Sequence, residues 1–283
     1  MASVYYDVLN HLSIDASINH TKASEKECAA QHLQRALPND ISLLDRGYNG
    51  FWLYNLYQEK EKLFCMRAKI NQNIEFKKFA ESGKRQKIIT LKPNKPSIET
   101  CKKKGLPIRD LTLRLVRVEL DHNEVEVLIT NLIDEQIFPA KVFKALYHLR
   151  WGIEENYKRL KQWVEIENFS GKSALSVKQD FYAKVLTTNL ISMAANAAQM
   201  QVDKSTAHRK HRYQVNFAQA VSKMKNSVVE LLAISVHCLQ EKLRLLVGYI
   251  ACTIEPIREG RKYSRPKSKM KNKLHFSAYK RAK

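Results

Sequence analysis

Acidic side chains are scarce in this sequence. Its 283 residues hold 28 Asp and Glu against 49 Lys and Arg, a formal charge of +21. That balance leaves a polyanion as the natural partner, nucleic acid before a membrane surface. Cysteines are few and unpaired in spacing. Cys28, Cys65, Cys101, Cys238 and Cys252 make an odd number with no Cys-x-x-Cys pair, so neither a disulfide framework nor a zinc site is indicated. Long apolar runs are missing too. The stretch after Phe181 carries Lys184, and the one after Val228 is cut by Glu230, Glu241, Lys242 and Arg244. Neither reaches the ~20 unbroken apolar residues that a membrane span needs. No signal-peptide pattern opens the sequence and no internal repeat runs through it, so the expectation is a soluble cytoplasmic protein.

What is present is an α/β pattern. "SVYYDVLN" and "HLSIDASI" predict a strand pair, "SEKECAAQHLQRAL" a helix with Ser24 as cap and Glu27 three residues on, and "ISLL" a short strand. "FWLYNLYQEK" predicts a helix and "KLFCMRAK" another strand. From about residue 70 the texture becomes β-rich: "RQKIITL", "DLTLRLVRVEL" and "EVEVLITNL" alternate with period two between turn residues. From Pro139 on, nearly everything reads as helix. The expected organisation is a core over 1–69, a β-rich insertion over 70–138, core helices over 139–200, a helical region over 201–257, and a basic tail over 258–283. That tail, with eleven Lys and Arg and one acid, and the connector "DKSTAHRKHRYQ", with its cations from Arg209 to Arg212, are candidate phosphate contacts.

Two carboxylates stand out. Asp45 ends the apolar run "ISLL" and precedes a glycine turn, at the carboxyl edge of a strand, where sites of open α/β sheets form. Asp is also a common turn starter. Glu154 lies in "LYHLRWGIEENYKRLKQW". On one continuous helix, Tyr147, Arg150, Glu154, Lys158 and Lys161 would share an arc of roughly 80° beside an apolar stripe. The plain reading is a solvated face with Arg150–Glu154 and Glu154–Lys158 ion pairs. The functional reading is a carboxylate for a hard metal ion, with neighbouring cations for phosphate oxygens. If the intervening β segment is an insertion, Asp45 and Glu154 can converge on one ion cluster of the kind that cleaves phosphodiesters.

These motifs resemble a known family. "LLDRGY" at 43–48 is similar to the second-Asp motif of DDE transposases from bacterial insertion sequences, and "YHLRWGIEENYKRLK" to their Tyr-x2-Arg-x3-Glu-x6-Lys signature. The signature marks the insertion-sequence-four group, and the likeness spans essentially the whole chain. It implies a mixed α/β, ribonuclease H-like core with a β-rich insertion before the Glu. It implies Asp45 and Glu154 as catalytic ligands of Mg2+, with Mn2+ as a substitute. Tyr147, Arg150 and Lys161 become contacts to the DNA of transposon ends, with Lys158, Trp151, Arg46 and Tyr48 as further DNA-binding candidates. It implies a homodimer that pairs two ends in a synaptic complex and joins them to target DNA at the nucleoid. The family's first catalytic Asp, in an Asp-Gly motif on the first strand, has no counterpart here. Asp7 and Asp15 lie on the expected second and third strands, where structural roles suit them. The expectation is therefore a truncated copy with reduced or no activity alone. Its alternatives are a non-catalytic DNA-binding competitor and a generic nuclease of related fold.

Overall fold

Period-two alternation decides how the central sheet is covered. In the computed structural model, which describes residues 1–20, 22–120, 124–233 and 235–258, five strands form one sheet in the order β3-β4-β7-β6-β5. They are β3 (Ile41–Leu44), β4 (Leu63–Arg67), β5 (Gln86–Leu91), β6 (Leu111–Glu119) and β7 (Val125–Thr130). β3 and β4 are parallel, and the remaining pairs are antiparallel. The β-rich stretch thus extends the sheet from β4 outward. Two helices inside it, α3 (Ile74–Glu81) and α4 (Lys95–Lys103), were not foreseen, being short segments next to a strong period-two signal.

Successive side chains of a strand point to opposite faces. Leu111, Leu113 and Leu115 of β6, Phe64 and Met66 of β4, and Val127 and Ile129 of β7 face one way. They form the main core with Leu53, Tyr54 and Tyr57 of α2 (Phe51–Glu59) and with Phe76 and Phe79 of α3. The alternate residues Cys65, Val116, Val118 and Leu128 form a second cluster with Phe143 and Tyr147 of α5 (Phe143–His148). A separate two-stranded sheet, β1 (Ala2–Asp7) with β2 (Leu12–Ile18), and helix α1 (Glu25–His32) precede β3. Ser24 is the N-cap of α1 by backbone geometry, but its side chain makes no capping bond, so the expected capping box does not form. Asp15 of β2 holds His32 of α1 at 2.8 Å.

The described chain forms two compact units. One holds Met1–Val8 and Ile14–Glu154; the other holds Leu9–Ser13 and the described residues from Glu155 on. The division falls inside α6 (Trp151–Gln162). In the second unit, α7 (Ala174–Thr206) packs with α8 (Phe217–Ala233), α9 (Val236–Ala251) and the antiparallel pair β8 (Tyr213–Val215) and β9 (Ile254–Pro256) around Ala195, Ala198, Val202, Met224 and Ile250. The cations of the 207–212 connector are exposed, with Arg209 lying over the Tyr213 ring. The basic tail expected over 258–283 lies outside the described residues apart from Arg258. No described helix is long and apolar enough to cross a membrane.

One polar residue fixes α5 against the sheet. Arg114 of β6 is fully buried. Its guanidinium donates to the carbonyls of Leu132 (3.2 Å) and Phe138 (2.7 Å) and to the Gln86 side chain, and it lies over the Phe143 ring. Those carbonyls belong to the loop that leads into α5. Replacing Arg114 with Ala orphans them and leaves a cavity, so the Arg114→Ala chain should lose roughly 3–5 kcal/mol in urea unfolding. A loss under ~1 kcal/mol would show that the loop holds α5 without it.

Candidate active site

The loop after β3 is held from below by a buried amide. Asn49 donates to the carbonyls of Arg46 (3.0 Å) and Arg67 (2.6 Å) and accepts from the hydroxyl of Tyr54 (2.6 Å). It is 2% exposed, so each of these bonds forms away from water, where an unmet partner is costly. Lys26 of α1 adds a bond to the Asn49 carbonyl. This frame presents Asp45 at the carboxyl end of β3, exposed, as the N-cap of a 3-10 turn over Arg46–Tyr48. Asp45 Oδ1 accepts from the Gly47 backbone N–H at 2.6 Å. A Cβ on residue 47 would stand 2.9 Å from that oxygen, closer than a carbon can come, so the Gly of "LLDRGY" makes room for the carboxylate. Arg46 is exposed beside it and Tyr48 is half-buried against the core.

Tyr147 joins this strand end to the helices that follow the sheet. Its ring is buried in the second cluster, and its hydroxyl donates to the Leu44 carbonyl at 3.1 Å, one residue before Asp45. Burial pushes the phenol well above the ordinary tyrosine range. The nearby Arg150 charge opposes the shift, and Glu126, Cys65 and Asp45 add to it. Asp45 is thus within electrostatic reach of the Tyr147 hydroxyl.

The predicted single helix over 146–163 is in fact two. α5 ends at His148, α6 begins at Trp151, and the link is tighter than an α-helix: Arg150 N–H donates to Tyr147 O and Gly152 N–H to Leu149 O. Three-residue spacing brings Arg150 back over Tyr147, with its guanidinium 5.7 Å from that ring and 4.8 Å from the ring of Trp151. Trp151 is 44% exposed, outside any core. Gly152 lets α6 pass Val8, whose Cγ1 would lie 3.1 Å from a Cβ there. Both Arg150 Nη groups then donate to one oxygen of Glu154, Oε1, at 3.2 Å.

The expected Arg150–Glu154 pair is therefore present. Lys158 pairs with Glu155 in place of Glu154. Lys161 pairs with Glu167 at 2.8 Å, and both lysines are exposed. They lie beyond the division in α6, in the second unit. Asp45, Tyr147, Arg150 and Glu154 lie together in the first. No group of three or more His, Cys, Asp or Glu side chains placed to share a metal occurs among the described residues. The sequence reading missed Asn49 and Tyr54, whose polar and aromatic types inside an apolar helix entry were the available signal.

Tyr147→Phe keeps the ring and removes the hydroxyl, so it should cost about 1 kcal/mol by urea unfolding. A raised phenol pKa stabilises the fold fully below the ordinary tyrosine pKa of about 10, and that contribution is lost as pH climbs toward the folded value. Burial raises the phenols of Tyr54 and Tyr57 as well. In an alkaline titration followed by phenolate absorbance, these three tyrosines should ionise together with unfolding, after the exposed ones. A native protein with all twelve tyrosines titrating near pH 10 would contradict their burial.

Comparison with known proteins agrees with this architecture. Residues 1–190 match the model of the transposase DDE domain family. The transposase InsG for insertion sequence element IS4, from Escherichia coli K12, is 24% identical over 263 residues, which cover 92% of this chain and 57% of InsG. The y4zB protein of Sinorhizobium fredii (strain NBRC 101917 / NGR234), named as a transposase, is 27% identical over 158 residues, 54% of this chain and 42% of its own. The chain thus spans about half the length of these relatives. With the model match covering its whole central sheet, the chain belongs to the transposase DDE domain family.

Proposed function

We propose that this chain carries catalytic-core residues of an insertion-sequence transposase that cuts and joins DNA at the ends of its element. The observation that supports it most is the Tyr147–Leu44 bond, which ties the strand end bearing Asp45 to the turn bearing Arg150 and Glu154. Asp45 and Glu154 are the proposed Mg2+ ligands. Their chemistry fits the ion: hard carboxylate oxygens, two in number, with substrate phosphate and water completing an octahedron. When bound, Mg2+ supplies activation of water or a 3′-hydroxyl and charge stabilisation on the leaving oxygen.

The protein's own residues have distinct tasks. The Gly47 amide orients Asp45 by occupying Oδ1. Arg150 neutralises Glu154 in the free protein through Oε1. On binding, its planar fork suits exchange from that carboxylate to a DNA phosphate, which frees Glu154 for metal. Trp151, Arg46 and Tyr48 are proposed to lie along the DNA, Lys158 and Lys161 to hold phosphates farther along, and the 207–212 connector to add positive charge. Pairing of two ends calls for two copies of the chain.

Titration of Mn2+ or Mg2+ into the protein bound to element-end DNA, together with a cleavage assay, tests this reading. Asp45→Asn and Glu154→Gln should each weaken metal binding at least tenfold, abolish metal-dependent cutting, and leave DNA affinity within a few-fold of wild type. Metal affinity unchanged in both variants would defeat the assignment, and a protein that binds ends without metal uptake would be a competitor and not a nuclease. If the basic surfaces hold phosphates, affinity should fall by roughly 10³-fold or more between 50 and 200 mM salt. Salt-insensitive binding would remove DNA as the partner.

A further inference from the structure

The strand next to β3 ends at the same edge as Asp45. β3 and β4 run parallel with Leu44 beside Met66, so Asp45 and Arg67 leave the sheet side by side. Asn49 locks the two exits together: its amide group donates to the Arg67 carbonyl, and its Oδ1 accepts from the Lys69 backbone N–H at 3.4 Å. The chain then makes a 3-10 turn over Ile70–Gln72 before α3. An open cavity of about 380 Å³ lies against that turn, lined by Asn71, Gln72, Asn73, Ile74 and Lys77. Asn is common in turns because its side chain can bond the local backbone. Asn73 does so, accepting from the Glu75 N–H at 2.8 Å. The side-chain amides of Asn71 and Gln72 are exposed and make no hydrogen bond among the described residues. Ile74 stands 68% exposed beside them.

The cations nearby are uncommitted as well. Lys69 and Lys77 are exposed, and neither is paired with a carboxylate among the described residues. The half-buried Lys26 donates to the Asn49 carbonyl, and burial, followed by the charge of Lys69, holds its ammonium below the usual lysine range. Like charges gathered without acids at a strand edge suit a phosphate. Free amides beside an exposed aliphatic side chain suit a base pair: a planar amide matches N6 and N7 of adenine, and an apolar group matches the methyl of thymine. We infer that this turn reads an A·T pair near the cut, with Asn71 or Gln72 on the adenine, Ile74 on the thymine methyl, and Lys69 and Lys77 on flanking phosphates. From Asp45 to Gln72 the path is at most one strand spacing plus the chain from Arg67 to Gln72, ~23 Å in all. With side-chain reach added, the pair lies within about eight base pairs of the cut.

This inference rests on DNA cutting at the Asp45 edge, but its test uses neither metal nor cleavage, so the two readings fail separately. Affinity of the full chain for element-end duplex is measured without metal. Among single A·T to G·C changes over the about eight pairs next to the cut, one should weaken binding at least about fivefold. At that pair, 7-deazaadenine, which lacks the N7 acceptor, and uracil, which lacks the methyl, should each weaken binding as well. Asn71→Ala combined with Gln72→Ala should abolish the preference for adenine, and Ile74→Ala the preference for thymine over uracil, while affinity for unrelated duplex stays the same. Lys69→Ala and Lys77→Ala should instead weaken binding to every sequence and lower the salt slope by about one each. Circular dichroism checks that these exposed substitutions leave the fold intact. A wild type indifferent to every base change, or a base preference that survives in the doubly substituted amide variant, overturns the proposal. Metal affinity unchanged in Asp45→Asn, with the base preference present, would sink the metal assignment and leave this inference standing.

Discussion

A single hydrogen bond, from the Tyr147 hydroxyl to the Leu44 carbonyl, links the strand end that bears Asp45 to the helix that leads into Arg150 and Glu154. Residues 44 and 147 are 103 apart in sequence, and between them the chain builds four of the five strands of its sheet. The bond is neutral, short-range and partly buried. It fixes direction more than it adds energy, because a net bond of this kind is worth about 1 kcal/mol. Its value lies in what is covalently next to each end. Asp45 follows the acceptor, and Arg150 sits one tight turn after the donor. A tie from the Tyr147 side chain to the Leu44 backbone bears on both neighbouring charged residues without either of them taking part in it.

The tie depends in turn on period-two burial. Because β6 and β7 are apolar on both faces, one face takes α2 and α3 and the other is left for α5. Arg114 then makes the attachment specific. Apolar packing alone would let α5 slide, whereas three acceptors converging on one buried guanidinium allow one position. A site assembled this way sits at the edge of a well-packed unit while its carboxylates stay wet. That combination suits the proposed exchange of a guanidinium for a metal ion at Glu154, since half-exposed ions lose little on changing partners.

Much of this was legible in the sequence, and for identifiable reasons. The strands were readable because β-branched residues alternate over six or more positions in β5, β6 and β7. Asp45 was readable because an Asp that stops an apolar run must lie where the strand leaves the sheet. The ion pair of Arg150 with Glu154 follows from four-residue spacing. The break at Leu149 and Arg150 was not readable, since no Pro marks it and every residue there tolerates a helix. It arises because the Tyr147 ring is committed to the sheet while α6 must clear Val8, a constraint between elements and invisible to local pattern. Within α6 both Glu154 and Glu155 are at helical reach of Lys158, and with Glu154 taken by Arg150 the lysine pairs with Glu155. Asn49 escaped notice for a related reason: its partners at Arg67 and Tyr54 lie across the fold, and only folding shows that it is the floor of the Asp45 loop.

The two acidic side chains of the candidate site are held in different ways. Several acids of the described chain are spent on nearby cations: Glu75 on Lys78 and Lys87, Glu126 on Arg67, Glu167 on Lys161. Asp45, like Asp40 and Asp134, accepts from a backbone amide, through one oxygen. Glu154 also has one oxygen engaged, by a cation that phosphate can compete for. The Gly47 turn fixes the Asp45 oxygen, and the Asn49 frame lies beneath the loop. With Asp45 held by an amide and Glu154 by a cation, the proposed metal role requires a phosphate backbone that draws Arg150 away and brings the extra negative charge needed to retain a divalent ion.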